Sequence, residues 1–125
     1  MIDKSRGVHN VKYFVTDEQR VGTCYHEFYK GKWDEKTFWK NDSICLHDDI
    51  LYRVSVFEEA IVAVLPTYNP FGETEVYPAQ WEEIGRIIRQ KDNEDNKEAI
   101  ELYSEADAWV QAVFSSFECF TILGI

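Results

Sequence analysis

Two short patterns in this chain set a thiol and an imidazole two residues apart: Cys24-Tyr25-His26 and Cys45-Leu46-His47. On a β-strand, residues two apart share a face, so each pair would present both groups to one side. Two such pairs on neighbouring strands would supply four ligands, the number that tetrahedral zinc requires. Cys-x-His is not the usual ligand spacing, however, and a buried cysteine often serves as a small apolar residue. Packing is thus the plainer reading of Cys24, His26, Cys45 and His47, and no metal or cofactor is expected. A Cys–His nucleophile is the other chemistry on offer, with Cys24 or Cys45 beside His9, His26 or His47. Neither cysteine has a nucleophile elbow or a protease signature around it, and no third group stands ready to orient the base.

Paired carboxylates occur at Asp48/Asp49, Glu58/Glu59 and Glu82/Glu83. Sequence neighbours on a helix diverge by about 100°, so these pairs do not share a face and read as solvated surface. The six glycines are scattered and form neither a phosphate-binding loop nor a dinucleotide fingerprint. The chain is therefore not expected to be an enzyme. The alternative is a small enzyme or ligand-binding domain that uses the aromatic N-terminal segment and the Cys/His pairs.

With 125 residues, the chain suffices for one domain, residues 1–125, with a core of its own. No apolar run approaches the roughly 18 residues of a membrane span, and Met-Ile-Asp-Lys does not open a signal peptide. The three cysteines are an odd number without framework spacing, which points to free thiols in a reducing cytosol. The expected location is cytoplasmic.

The net charge of −10 is unevenly placed. Residues 1–53 balance nine basic against nine acidic side chains, whereas residues 54–125 hold four Lys/Arg against fourteen Asp/Glu. Such a field repels nucleic acid and anionic membranes, and it steers toward basic partners. Solubility is the plainer role of an acidic surface. Lysines do interleave with aromatics over residues 25–39 (Tyr25, Phe28, Tyr29, Trp33, Phe38, Trp39), as on a single-strand nucleic-acid platform. Glu27, Asp34 and Glu35 cancel most of that charge, so nucleic acid is not an expected partner.

These residues must be positioned by a small α+β domain. Residues 1–10 carry no periodicity and read as a loose end. Val11–Thr16 and Val21–Tyr29 are β-like and predict an antiparallel hairpin, with a possible bulge at Gly22. Asp34 is placed to cap a short helix through Lys40. Ser43–Leu46 reads as a further short strand. Residues 48–65 lack Gly and Pro and end before Pro66, which favours one helix, although Ile50, Tyr52, Val54 and Val56 also alternate as in a strand. Residues 66–77 read as a loop and 78–90 as a helix opened by Pro78. After a polar break at 91–97, a helical pattern runs from Glu98, with Ser104 as an internal cap that would divide it. The apolar end, residues 119–123, is expected to lie against the core as a strand. Three or four helices would then pack on one face of a small antiparallel sheet.

The loop 66–77 carries Tyr68, Asn69, Phe71, Glu73, Glu75 and Tyr77. If it lies near the start of the C-terminal helix, its aromatics join Glu94, Asp95, Glu98 and Glu101 as anchors within a negative rim. That is the composition of a protein-binding hot spot for a basic partner. The other outcome is that the loop aromatics belong to the core.

The order of a β-rich N-terminal part, an apolar helix ending in LPTYNPFGETEVYPAQW, and a Trp109-bearing helix leading to FTILGI resembles small bacterial proteins. Several of these resemble the immunity proteins of contact-dependent inhibition and polymorphic-toxin systems. The resemblance spans roughly residues 44–125 and rests on packing residues. It implies a small cytosolic protein that neutralises one cognate toxin, often a basic nuclease, through acidic complementarity. It carries over no catalytic residue and no interface.

Overall fold

The computed structural model describes residues 13–90 and 95–124. The expected loose end at 1–10 falls outside them, as does most of the break at 91–97. The strands are β1 (Phe14–Val15), β2 (Tyr25–Lys30), β3 (Ile44–His47), β4 (Glu73–Val76) and β5 (Phe120–Leu123). The helices are α1 (Asp48–Arg53), α2 (Ser55–Val64), α3 (Pro78–Gln90) and α4 (Asp95–Phe114). The fold is α+β: a five-stranded antiparallel sheet, in the order β1-β3-β2-β5-β4, with the four helices packed against it.

The hairpin expected from residues 11–29 does not form, because β3 lies between β1 and β2. Val21–Cys24 lie outside any strand, and Gly22 sits in a turn at φ 85° instead of a bulge. The segment between β1 and β2 makes a 3-10 turn at Asp17–Gln19, with Gln19 Oε1 accepting from the Thr16 N–H at 3.0 Å. The C-terminal segment behaves as expected, since β5 is a fully buried strand between β2 and β4.

Residues 48–65 form two helices that meet at Val54 (φ −94°, ψ 66°). Packing explains the elbow. Val54, Val56 and Phe57 are all buried, yet on a straight helix positions two apart diverge by about 200°. Bending the chain at Val54 turns all three inward and leaves Tyr52 outside, 83% exposed. The expected division of the last helix at Ser104 is absent, and α4 runs unbroken. Its buried stripe of Ala99, Leu102, Tyr103, Ala106, Val110 and Val113 continues on both sides of Ser104, which itself faces solvent.

Between these helices and the sheet lies an aromatic core. Phe120 stacks on Phe28 at 5.3 Å and meets Trp81 edge-on at 5.5 Å. Trp81 in turn stacks on Tyr103 at 4.3 Å, donates its indole N–H to Asp107 at 2.8 Å, and receives the Tyr103 hydroxyl on its own carbonyl. Gly85 makes this possible, because a Cβ there would come within 2.5 Å of the Tyr103 ring. These contacts lock α3 to α4 and leave the other face of the sheet to be covered by loops.

Candidate protein-binding surface

The rear face of the sheet is organised by a buried carboxylate. In β2 the side chains of Tyr25, Glu27 and Tyr29 alternate with those of His26 and Phe28, and Phe28 faces the helices. Glu27 therefore faces rearward and is only 1% exposed. It accepts from the Trp39 N–H at 2.7 Å, the Lys40 N–H at 3.0 Å and the Ser43 hydroxyl at 2.6 Å. These three bonds strap residues 31–43 across the rear face. The short helix expected over 34–40 is a set of turns instead. Asp34 accepts from the Lys36 and Thr37 N–H groups and the Thr37 hydroxyl, so its cap closes a turn and not a helix. Those bonds hold the Asp34 carboxyl down at about 2.

Two residues of the strap, Glu35 and Trp39, adopt left-handed backbone conformations at φ 66° and 60°. Such conformations cost non-glycine residues about 1–2 kcal/mol each. At Trp39 the Glu27 bond offsets part of that cost, and so does the Arg20 guanidinium lying 3.8 Å from the ring centroid. The result is that Trp33 and Phe38 are held 5.1 Å apart on the molecular surface, with Phe38 50% exposed.

A second loop delivers the third aromatic. Asn69 Oδ1 accepts from the Phe71 N–H at 2.9 Å, its carbonyl accepts from Gly72 at 3.1 Å, and its N–H donates to Thr74 Oγ1 at 3.2 Å. The Gly124 N–H then clasps the Gly72 carbonyl at 2.6 Å. The approach is so close that a Cβ at Gly124 would overlap the Pro70 carbonyl. Phe71 is left at the tip of this hydrogen-bonded turn, 78% exposed. Trp33, Phe38, Phe71, Glu73 and Leu123 line a groove of about 250 Å³ between the two loops. Of this surface, Phe71 and Glu73 are expected from the sequence, whereas Glu27, Trp33 and Phe38 are not. The available signal was a carboxylate within an aromatic-rich strand, flanked by His26 and Phe28.

The other expected surface residues divide. Residues 73–76, read as loop, form edge strand β4, with the alternation Thr74/Val76 inward and Glu73/Glu75 rearward. Glu75 receives the Tyr77 hydroxyl at 2.9 Å. Tyr68 packs half-buried against the core, and burial raises its hydroxyl pKa, helped by Glu58 and Asp48. Glu98 and Glu101 do not join the loop. Glu98 binds Arg53 at 2.7 Å, and both acids take the Tyr13 hydroxyl, while Glu105 accepts from the Tyr13 and Phe14 N–H groups. They fasten the β1 edge, whereas the Phe71 loop adjoins β4, four strand spacings away or about 19 Å. Asp95 opens α4; its side chain and the whole of Glu94 lie outside the described residues.

The Cys-x-His pairs do not converge. Strand pairing sets Glu27 opposite Cys45 and Tyr25 opposite His47, so Cys45 and His47 face rearward while His26 faces the helices. His26 Nε2 is bonded to Asp48 at 2.8 Å, and its Nδ1 is buried without a partner. No ring nitrogen of His26 is thus presented to a thiol. His47 Nδ1 accepts from the Asp49 N–H and caps α1. Burial, reinforced by Glu27, pushes the Cys45 thiol up to about 12. Among the described residues no cluster of three or more His, Cys, Asp or Glu is arranged to hold a metal ion, and no helix is long and apolar enough to cross a membrane.

No protein-family model matches the chain, and neither a curated protein nor a solved structure matches it.

Proposed function

We propose that this chain is an acidic protein-binding domain that captures a basic partner on the rear-face surface, and that the partner is a toxin domain neutralised by occlusion. One observation carries the reading. Two independently built loops hold Trp33, Phe38 and Phe71 in one groove beside Glu73, on a molecule of net charge −10. Aromatics held in place by hydrogen-bonded turns lose little entropy on binding, and the net negative charge of the molecule speeds the approach of a basic surface. Three unpaired cysteines suit action in a reducing cytosol. The sequence resemblance to immunity proteins supplies the biological role.

The test is co-expression with basic C-terminal toxin domains of contact-dependent inhibition and polymorphic-toxin systems. The expected result is restored growth and a stable complex, both lost when Phe71→Ala is combined with Glu73→Lys. Growth arrest unchanged by the wild-type chain would overturn the neutralising role.

A further inference from the structure

The two edges of the sheet are finished differently. At β1 the Glu105 carboxylate takes the N–H groups of Tyr13 and Phe14. Among the described residues nothing comparable is present at β4. Gly124 donates to the Gly72 carbonyl, and the register pairs Glu73 with Leu123 and Glu75 with Thr121. Bonded and non-bonded pairs alternate along an antiparallel ladder. Positions 72, 74 and 76 therefore bond to β5, and the N–H and C=O groups of Glu73 and Glu75 point outward. Among the described residues no hydrogen bond engages those outward groups.

We propose that this edge takes up an extended basic segment of the partner as a sixth strand beside β4; the inference rests on the binding function proposed above. Residues opposite one another in a ladder share a face, so alternate side chains of the incoming strand would stand next to Glu73 and Glu75. Lysine or arginine there would meet carboxylates, and the intervening residues would extend the row of Thr74 and Val76. The same charges argue against a second copy as the occupant. Two β4 edges brought together would set glutamate against glutamate, which is destabilising. The Phe71 groove opens beside the start of the strand, so a segment on the edge can continue an interface made there.

The probe is an acetylated, amidated peptide of four Lys-Val repeats, compared with the same peptide N-methylated at alternate residues. N-methylation keeps the charge but removes donors along one edge. The expected result is binding at low salt with slowed amide exchange at Glu73 and Glu75, weakened about tenfold or more by N-methylation. Glu75→Pro should weaken binding further than Glu75→Gln, because proline is tolerated where the N–H points out of the ladder and deletes only the outward donor. Equal affinity for both peptides, unprotected amides at Glu73 and Glu75, or no binding would each overturn the edge proposal. A complex with the toxin domain that survives Glu75→Pro but is lost on Phe71→Ala would overturn it while leaving the proposed function standing.

Discussion

Glu27 shows how one side chain can set up a surface that it does not itself enter. Its carboxylate is buried, yet three donors from the strap converge on it. Glu27→Ala should cost about 3 kcal/mol by chemical denaturation, since buried donors left unmatched are expensive. It should also broaden the resonances of Trp33 and Phe38 while leaving those of Trp81 sharp. Asp34 makes a second prediction, through its proton. Its folded value of about 2 lies below the ordinary 3.8, so its contribution to the strap is present above the ordinary value and is lost as pH falls toward 2. The Thr37 amide and the Trp33 indole N–H, which donates to the Thr37 carbonyl, should shift over that window. Asp34→Asn should abolish the transition; an unchanged profile would show that the turn does not depend on this carboxylate. Neither role was legible in the sequence, where Glu27 read as charge cancellation and Asp34 as a helix cap.

Among the elements, the helix opened by Pro78 and the C-terminal strand match the expectation from sequence, because local pattern and packing agree there. The misreadings fall where two signals compete. Residues 48–65 hold both a helical and an alternating pattern, and the elbow at Val54 satisfies parts of both. Strand β4 is only four residues long, and its Glu-Thr-Glu-Val alternation was hidden among turn signals. The false hairpin has another cause, since strand order depends on non-local pairing that turn residues alone do not encode. Gly85 also belongs to this scale. Gly85→Ala gains helix propensity but drives a methyl into Tyr103, which is stacked on Trp81 and bonded to its carbonyl. The net effect should be a loss of about 1–2 kcal/mol in urea denaturation, recovered in part by shortening Tyr103. A gain in stability would show that Tyr103 yields to the added methyl without cost to the α3–α4 packing.

At the scale of the whole molecule, the helices and the loops divide the work. The helices cover one face of the sheet and supply the core; the strap and the Phe71 loop cover the other and supply the groove. The concentration of acid in residues 54–125 was legible from composition, but its use was not. Glu98, Glu101 and Glu105 secure the β1 edge internally, whereas Glu73 and Glu75 remain beside the exposed aromatics. Exposure and internal pairing are three-dimensional properties, and no count of charges distinguishes one group of acids from the other. The most direct test of binding at the groove is the affinity for a basic toxin domain that the chain neutralises, taken with Phe71→Ala and with a Tyr52→Ala control. Both side chains are about equally exposed, at 78% and 83%, but Tyr52 sits on the α1–α2 elbow, away from the groove. Phe71→Ala is expected to weaken binding about 30-fold, or about 2 kcal/mol, without lowering Tm, while Tyr52→Ala leaves affinity unchanged. Full affinity after Phe71→Ala, or a loss confined to Tyr52→Ala, would contradict binding at the groove.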